Sequence, residues 1–398
     1  RPYEAYDYNI LHETFNYGIG AQYMINKGNY ITADCYADHF SSSYCFFKDN
    51  KTYNGKAGEE QVRKRTRNHN LSIKGIFKLG NRHKLSVGTE YIVDVLKSQT
   101  DNIAKEDAYT LALFAQDEIK LLRNLQALIG VRYIYHENFK NHATPNVALM
   151  YKPGKFNFRA SYAAGFRTPT LSELYATDIA KKNDRLTIGN LDLKPEKNNY
   201  FSLSAEYVHE RFSVSVNAFY NNIRDMIDYN TIATGDKAME QYGHKEVRQR
   251  DNIAEAKVHG INVSANAYLG AGFNLSGGYT HLNTQDVELE QPIDKSIKNA
   301  YNINAQWAHS WKIYRLNINL NGRFNSKRFS KSYGYAPEYQ LWDLNTRHSF
   351  NLKSVIIEPG CGMENLFDYM DDRPYNSNYA TLTPGRSFYI SLSLKFKS

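Results

Sequence analysis

The chain has 398 residues with a formal net charge of +8, and 14% of its residues are aromatic, including 32 tyrosines. Its mean hydropathy is -0.61, and no apolar run reaches the roughly 18 residues that a transmembrane helix needs, which excludes that kind of span. The three cysteines show neither zinc-ligand spacing nor a paired framework, which excludes a structural zinc site and a disulfide scaffold.

Hydrophobic and polar residues alternate in segments along the whole chain. Near the start, Leu71, Ile73, Phe77 and Leu79 share one parity, and polar residues occupy most of the other parity. The same pattern recurs in the segments 156–167, 301–311, 315–324 and 387–396. Because successive side chains of an extended strand point to opposite faces, the pattern predicts sheets with one apolar face and one polar face.

Two environments ask for such a sheet. In a soluble sandwich the apolar row faces a protein core, whereas in an outer-membrane barrel it faces lipid and the polar row faces a wet lumen. Many of the segments exceed ten residues, which suits a tilted membrane-spanning strand better than a globular strand of roughly five or six residues. Abundant Tyr and Phe fit the aromatic girdles of such barrels, although soluble β proteins share this enrichment.

The alternation predicts about seventeen strands. In chain order they are residues 10–25, 29–47, 62–79, 83–100, 108–121, 125–139, 142–153, 156–167, 197–210, 212–232, 249–269, 273–288, 296–311, 314–330, 338–351, 354–370 and 383–396. Every second connection is a tight turn, such as Lys27-Gly28, and the others are mostly longer, as at 48–61, 168–196 and 233–248. Short turns on one rim and long loops on the other are typical of a transmembrane up-and-down barrel.

The predicted strand count is odd, whereas bacterial single-chain barrels have even numbers of strands and both termini in the periplasm. Counting back from the last strand, the first strand enters from the outside, and the start of the sequence carries no signal-peptide pattern. We therefore expect residues 1–398 to form a partial transmembrane β-barrel domain. The N-terminal plug domain and the first strands are expected to be absent from this sequence.

An ordered set of motifs resembles the signature of TonB-dependent outer-membrane receptors. The motifs are Tyr162-Ala-Ala-Gly-Phe-Arg-Thr-Pro-Thr-Leu-Ser-Glu-Leu-Tyr175, Gly189-Asn-Leu-Asp-Leu-Lys-Pro-Glu-Lys197, the end of the strand at Asn221-Asn-Ile-Arg-Asp-Met-Ile-Asp228, Asn252-Ile-Ala-Glu-Ala-Lys-Val-His-Gly260, Glu364-Asn-Leu-Phe-Asp368 and Pro384-Gly-Arg-Ser-Phe-Tyr-Ile-Ser-Leu-Ser-Leu-Lys-Phe396. They run in order from about residue 156 to the end. The strand rhythm extends the resemblance to the start.

The resemblance implies an all-β fold, a transmembrane antiparallel β-barrel with 22 strands in the full protein and about 17 in this chain, with a plugged lumen. It implies a place in the bacterial outer membrane and TonB-energised uptake of a scarce metal chelate, whether cobalamin, haem or a ferric siderophore. TonB would grip the region missing before residue 1. Outer-membrane lipid and lipopolysaccharide are further expected partners, and a surface lipoprotein is a candidate partner.

Substrate contacts are expected from the apical loops, where six side chains are candidates. They are Tyr242, His244, Tyr333, Tyr335, Tyr375 and Tyr379. Clustered aromatic rings can grip a flat macrocycle or a catechol, although tyrosine is frequent throughout this chain.

Arg159 and Arg167 lie on the polar parity of their strand and are expected to face the lumen. Their expected partners are carboxylates of the plug or acids of the barrel such as Glu206. Thr170 and Glu173 have the spacing of a capping box, which predicts a short helix in the following loop.

Other function classes stay open beside the receptor. A passive porin shares the alternation and the loop asymmetry, and a glycan or peptide importer belongs to the same superfamily. A barrel enzyme needs a Ser-His-acid set at the outer rim, and no segment singles one out. We therefore expect no enzyme activity, no catalytic residue, no cofactor and no bound metal. The basic run Arg63-Lys-Arg-Thr-Arg67 begins a strand beside a long loop, so a solvated rim is favoured over nucleic-acid binding.

Overall fold

The computed structural model describes residues 7–51, 53–180, 184–330, 334–371, 383 and 385–397. Within these ranges the chain is nearly all β, with 21 strands and two helices. Seventeen strands are long: β1 (Tyr8–Asn26), β2 (Asn29–Phe46), β3 (Glu60–Leu79), β4 (His83–Ser98), β5 (Ile103–Leu122), β6 (Leu125–His136), β7 (Lys140–Tyr151), β8 (Phe156–Arg167), β11 (Glu196–Val208), β12 (Phe212–Thr234), β13 (Glu246–Gly270), β14 (Phe273–Asp286), β15 (Asn299–Trp311), β16 (Tyr314–Asn325), β19 (Tyr339–Asn351), β20 (Val355–Glu364) and β21 (Ser387–Phe396).

The remaining elements lie in the longer connections between these strands. They are α1 (Leu171–Tyr175), β9 (Thr177–Ala180), β10 (Arg185–Ile188), α2 (Gly235–Tyr242), β17 (Arg328–Ser330) and β18 (Gly334–Ala336). Among the described residues, neither helix has the length and apolarity needed to cross a membrane.

The chain divides into two compact units, each with its own antiparallel ladder. Unit 1 comprises residues 1–148, 163–199 and 223–255, and unit 2 comprises residues 149–162, 200–222 and 256–398. In unit 1, each strand from β1 to β6 pairs with the next one along the chain. In unit 2, the ladder runs from β13 through β14, β15, β16, β19 and β20 to β21. Neighbouring strands in each ladder are therefore neighbours in sequence, apart from the short strands in the loops.

Tight turns occupy every second connection, as the sequence predicts. The turn between β1 and β2 has only residues 27 and 28, and Gly28 takes a φ of 101° that favours glycine. The turn between β13 and β14 is equally short, and Gly270 before it has a φ of 90°. On the other side of the ladders, the connections 47–59, 168–195, 235–245, 326–338 and 365–386 are long.

Each ladder has two chemically different faces. In β3, exposed and less exposed side chains alternate from residue 65 to residue 73. The exposed parity, which we call the outward face, holds Arg65, Arg67, His69, Leu71 and Ile73. The inward face of the same strand is polar: Asn68 bonds Asp94 of β4 at 2.7 Å, and Asn70 bonds Glu90 at 3.0 Å.

The strand β16 shows the same separation in unit 2. Ile318 lies opposite Trp307 and Leu320 lies opposite Ala305, so the apolar row continues from strand to strand. On the other face, the Asn304 amide donates to Asn319 at 2.6 Å and to Asn321 at 2.5 Å. Amide side chains thus satisfy one another's hydrogen bonds on the polar face, whereas the aliphatic side chains of the other face have no hydrogen-bonding groups.

The structure corrects several ends of the predicted strands, two of which lie in unit 2 and are set by local contacts. The predicted strand 314–330 stops at Asn325, and its last residues, Arg328–Ser330, turn back to pair with Gly334–Ala336. The predicted strand 354–370 stops at Glu364 because Asn365 has a φ of 51°, outside the extended range. Asn365 is buried, and its side chain bonds the backbone of Tyr369 in both directions, which fixes this bend.

Candidate functional site

A small sheet forms within the long connections of unit 1, apart from its main ladder. Strands β9 and β10 make an antiparallel hairpin, in which Thr187 lies opposite Asp178. Strand β10 also pairs in parallel with the first residues of β13, so that Arg185 lies beside Glu246 and Thr187 beside Arg248. We call β9, β10 and residues 246–249 the apical sheet. β10 and the first residues of β13 run in the same direction, so their pairing is parallel.

The apical sheet is anchored by its own small core. Val247 of β13 and Ala238 of α2 are both 0% exposed, and Ala233 is also buried with them. Leu186 and Ile188 of β10 pack against this cluster. Because residues of one parity point into the core, the opposite parity of β10 and β13 is directed away from it. The charged residues Arg185, Arg248 and Glu246 lie on that opposite parity.

The helix α1 is joined to the end of β8 and the start of β11 by a network of charged side chains. The Thr170 hydroxyl accepts from the Glu173 backbone amide at 3.2 Å, and the Glu173 carboxylate accepts from the Thr170 amide at 2.8 Å, which confirms the predicted capping box. Arg167 donates from Nη1 to Glu173 at 2.9 Å and from Nε to Glu196 at 2.7 Å. One guanidinium therefore joins the end of β8, the helix and the start of β11.

The carboxylate of Glu173 is held in its charged form. Burial alone would raise the pKa of Glu173, but the hydrogen bonds from Arg167 and Thr170 outweigh it and keep the pKa of Glu173 below its ordinary value of 4.5. Arg167 and Glu173 thus form a charged pair at neutral pH.

Between α1, the apical sheet and the end of β12 lies a cavity of about 150 Å³, which we call the apical pocket. Its lining is mainly polar and brings together residues from five separate segments of unit 1. The lining residues that carry charge or an aromatic ring are Asp101, Asp178, Arg185, Tyr229, Arg248 and Arg250.

Three arginines of the apical pocket differ in their partners. Arg250 stacks over the Tyr229 ring, with its guanidinium carbon 3.5 Å from the ring centroid, and donates to the Tyr229 hydroxyl at 2.7 Å. Arg248 donates from Nε to Glu246 at 2.6 Å. The Nε of Arg185 is buried and has no hydrogen-bond partner among the described residues. A buried donor without a partner is unfavourable, which makes Arg185 a candidate for binding an acceptor group.

Two acids, Asp101 and Asp178, lie among these arginines in the lining. Burial raises the pKa of Asp178, and the nearby Asp101 raises it further, whereas Arg185 acts in the opposite direction. Asp101 already accepts from Ser172 at 3.1 Å and lies 3.5 Å from the Lys64 ammonium. The arrangement can therefore hold an anionic group with several oxygen acceptors, using planar guanidinium donors and the face of one tyrosine.

The three described candidates from the sequence, Tyr242, His244 and Tyr335, do not line this pocket. Tyr242 is the last residue of α2 and is partly exposed. His244 bonds through Nδ1 to Asp184 at 2.8 Å, and this contact lowers the pKa of Asp184. Tyr335 on β18 packs edge-on against Phe329, with ring centroids 5.3 Å apart. Tyr333, Tyr375 and Tyr379 lie outside the described residues.

The polar residues predicted to face the lumen each have a partner in the structure. Arg159 donates to the sulfur of Met150 at 3.3 Å, and Glu206 accepts from Asn157 at 2.9 Å. Arg167 bonds two acids of this chain, Glu196 and Glu173. That Arg159, Arg167 and Glu206 face the lumen or the plug stays a prediction.

Sequence reasoning missed Arg185, Arg248 and Arg250. The predicted strand 249–269 begins too late, because β13 extends to Glu246. The charged residues at 246, 248 and 250 share one parity, which is the signal that could have extended the strand and grouped them.

Comparison with known proteins places this arrangement in a known architecture. Residues 2–366 match the model of the family described as TonB dependent receptor-like, beta-barrel. A point mutant of the ferric enterobactin receptor PfeA from Pseudomonas aeruginosa superposes with a TM-score of 0.79 at 18% identity, over 98% of this chain and 62% of that chain. The chain therefore spans less than two thirds of that receptor.

Two further solved structures give the same fold. The siderophore receptor PirA from Pseudomonas aeruginosa has a TM-score of 0.73 at 17% identity, over 98% of this chain and 64% of that chain. The FrpB iron transporter from Neisseria meningitidis has a TM-score of 0.71 at 13% identity, over 96% of this chain and 62% of that chain. These likenesses confirm the predicted β-barrel fold, and the family match over residues 2–366 places the chain among transmembrane barrels of the bacterial outer membrane.

Proposed function

Since this chain belongs to the TonB dependent receptor-like β-barrel family, we propose that its full protein imports an anionic ferric chelate of the siderophore class through the outer membrane. The proposal takes residues 1–398 as the barrel domain of that receptor and TonB as the source of energy. The three structural relatives described above are a ferric enterobactin receptor, a siderophore receptor and an iron transporter.

The single observation that carries the choice of ligand is the apical pocket. Arg185, Arg248 and Arg250 line one cavity, and the Nε of Arg185 is buried with no hydrogen-bond partner in the described part of the chain. Ferric catecholates are strongly anionic and carry oxygen acceptors around the metal, so guanidinium groups suit them. Tyr229 adds an aromatic face against which a catechol ring can stack.

The size of the pocket limits what it does. A cavity of about 150 Å³ is smaller than the roughly 300–1,000 Å³ of typical ligand sites. We therefore assign it to one arm of the chelate, with the remainder held by other residues of the receptor. Electrostatic attraction would also speed the encounter with an anionic ligand.

The test is equilibrium binding of four ligands to the purified full-length receptor: a ferric catecholate, a ferric hydroxamate, haem and cobalamin. We expect the ferric catecholate to bind tightest. The double substitution Arg185→Gln with Arg250→Gln should weaken its binding roughly 10- to 100-fold, since each removes charge-assisted hydrogen bonds.

A matched control removes two charges from the same loops outside the pocket. Lys237→Gln with Lys245→Gln alters α2 and the residue before β13, neither of which lines the apical pocket. This control should leave binding within about twofold, apart from weak long-range screening. Equal losses in both double variants, or tightest binding of cobalamin, would contradict the proposal. If none of the four ligands binds, a glycan or peptide ligand or a surface lipoprotein partner becomes the better hypothesis.

A further inference from the structure

One acid of the apical pocket lies on the same face of the apical sheet as the arginines. Asp178 of β9 is directly opposite Thr187 of β10, and Thr187 lies beside Arg248 of β13. Arg185, two residues before Thr187, therefore shares this face and lies diagonal to Asp178. Directly opposite and diagonal positions on paired strands have Cβ atoms within about 5–8 Å of each other. The carboxylate of Asp178 thus belongs to the group of charges that line the apical pocket.

Asp178 differs from the neighbouring acids because it forms no ion pair in the described part of the chain. Asp101 lies 3.5 Å from the Lys64 ammonium. Glu246, on the adjacent strand, accepts from Arg248 at 2.6 Å. Each of these two acids therefore has a cation that stabilises its charged form, whereas the carboxylate of Asp178 faces the cavity without one.

The surroundings of Asp178 favour its protonated form. Burial raises the pKa of Asp178 above its ordinary value of 3.8, and the charge of Asp101 raises it further. Arg185 and the Ile179 backbone amide act in the opposite direction without reversing the shift. The Thr177 amide donates to the Asp101 carbonyl at 2.7 Å, which ties the start of β9 to the connection that carries Asp101. Protonation of Asp178 therefore costs less free energy than protonation of a solvated aspartate at the same pH.

An anionic ligand brings a further negative charge to this group. An ionised Asp178 repels it, because like charges a few ångströms apart disfavour each other. A protonated Asp178 instead carries an O–H donor that can bond an oxygen of the ligand. Since an added anion raises the pKa of a neighbouring carboxyl group still further, entry of the ligand and protonation of Asp178 favour each other.

We propose that Asp178 takes up one proton when an anionic arm of the chelate enters the apical pocket, and then donates a hydrogen bond to that arm alongside Arg185. The proton moves from solvent to a carboxylate oxygen, and no covalent bond to the ligand forms. This inference rests on the function proposed above and adds to it a residue that makes the affinity depend on pH. The contribution of Asp178 to the affinity grows as pH falls through its pKa in the complex, and it levels off below its lower pKa in the free receptor.

The other groups at the pocket do not account for such a proton. The charged and titratable groups around Asp178 are Tyr44, Asp101, Arg185, Tyr229, Glu246, Arg248 and Arg250. Arginine and tyrosine keep their charge state between about pH 5 and 8. The two other acids have the cationic partners described above, and no histidine is among the described lining residues. Proton uptake in this range is therefore assigned to Asp178.

The test counts the protons that are taken up on binding. Titration calorimetry of a ferric catecholate into the purified full-length receptor, in two buffers of different ionisation enthalpy, gives this number directly. Because the chelate itself can bind protons, the quantity compared is the difference between the wild type and the variant Asp178→Asn. At about pH 6.5 we expect the wild type to take up more protons than the variant, by up to about one proton per ligand.

The affinities should show the same coupling. D178N removes the carboxylate charge at every pH but keeps an N–H donor, so it should bind the chelate roughly tenfold tighter than the wild type at about pH 8. Between about pH 8 and pH 6 the affinity of the wild type should approach that of D178N. A second variant, D178A, lacks both the charge and the donor. It should lose the same pH dependence but bind roughly fivefold more weakly than D178N, because one hydrogen bond is missing.

The matched control removes a carboxylate from the other end of the same hairpin. Asp184 precedes β10 and bonds His244 at 2.8 Å, and it does not line the apical pocket. The variant D184N should keep the proton uptake of the wild type, with an affinity within about twofold. Loss of proton uptake in D184N would assign the proton to the contact between Asp184 and His244 and would overturn the proposal.

Two further results would overturn this inference but not the proposed function. The first is equal proton uptake by the wild type and D178N, with the chelate bound and R185Q/R250Q still weakened. The second is weaker binding by D178N than by the wild type at about pH 8, which would show that the carboxylate accepts a hydrogen bond from the ligand. By contrast, an unchanged affinity of R185Q/R250Q would overturn the proposed function, and this inference with it.

Discussion

At the scale of single residues, Arg167 joins two elements of the candidate site. It forms ion pairs with Glu173 in α1 and with Glu196, the first residue of β11. The position of α1 is therefore governed by charge rather than by apolar burial alone, although Leu171 and Leu174 are buried beneath it. Charge that fixes a loop makes that loop sensitive to acid.

The first prediction concerns this acid sensitivity. Because the pKa of Glu173 is lowered in the folded state, its contribution to the stability of α1 is complete above the unfolded pKa and is lost as pH falls through the lower folded pKa. Hydrogen exchange of residues 168–178, corrected for the intrinsic effect of pH, should therefore accelerate below about pH 4.5. The variant R167Q should exchange faster already at pH 7 and show a smaller pH effect; an unchanged pH profile in R167Q would refute the assignment.

The second prediction concerns the two faces of β16. Arginine at Ile318 should destabilise the folded barrel by about 2–4 kcal/mol if it lies near the middle of the bilayer, because a cation then faces lipid. Arginine at Asn319 breaks one amide contact with Asn304 but stays on the polar side, so its cost should be far smaller. Reversible unfolding in lipid vesicles measures both, and equal costs would show that the faces are assigned wrongly.

At the scale of elements, the apical sheet folds on a core of its own. Val247 is fully buried between β10 and α2, and its neighbours on β13 line the apical pocket. The charges of the pocket are therefore positioned by apolar contacts on the reverse side of the same three strands.

The third prediction follows from that arrangement. The substitution Val247→Asp places a carboxylate in an apolar core and should cost roughly 3 kcal/mol or more of local stability. We expect faster hydrogen exchange in residues 177–190 and 235–249 together with loss of chelate binding. The heat-modifiable mobility of the barrel should stay unchanged, since the ladder does not use this core. Loss of that mobility would mean that the apical sheet and the long strands of the ladder fold as one cooperative unit.

The elements show what sequence alone could supply. Period-two alternation located β8 at Phe156–Arg167 to the residue, because two unlike solvents enforce the pattern along a whole strand. The alternation failed where a strand extends past both the lipid and the lumen, as in residues 246–248 of β13, which precede the predicted start at residue 249. There the contacts are with other loops, so neither face is required to be apolar.

The loop site was harder to predict for the same reason. The capping box at Thr170 depends on neighbouring residues and could be recognised locally. The apical pocket depends on Arg185 meeting Arg250 and Asp101 across long stretches of sequence. Local patterns carry no information about such meetings, and frequent tyrosines drew attention to Tyr242 and Tyr335 instead.

At the scale of the whole molecule, the formal net charge is +8. Three of the arginines, Arg185, Arg248 and Arg250, line the apical pocket. Positive charge attracts anions over a distance set by the ionic strength.

The fourth prediction uses that dependence on salt. Raising the salt concentration from about 0.05 M to 0.5 M should slow association of an anionic ferric chelate with the full-length receptor by tenfold or so, with a smaller change in dissociation. In the variant R185Q/R250Q the same change of salt should have a weaker effect on association. Stopped-flow binding measures both rates. An effect confined to dissociation would show that charge acts only after docking.

The parallel pairing of β10 with β13 has a consequence for how such a protein can diverge. The backbone hydrogen bonds of the apical sheet join residues 177–180, 185–188 and 246–249 to one another. The long strands of the ladder keep their own pairing register. Substitutions in the β9–β10 hairpin can therefore accumulate without changing the pairing register of the long strands. Gene segments encoding residues 168–195 and 235–249 could be exchanged between relatives as a matched set, and selection for a new nutrient could proceed without renewed selection for insertion into the membrane.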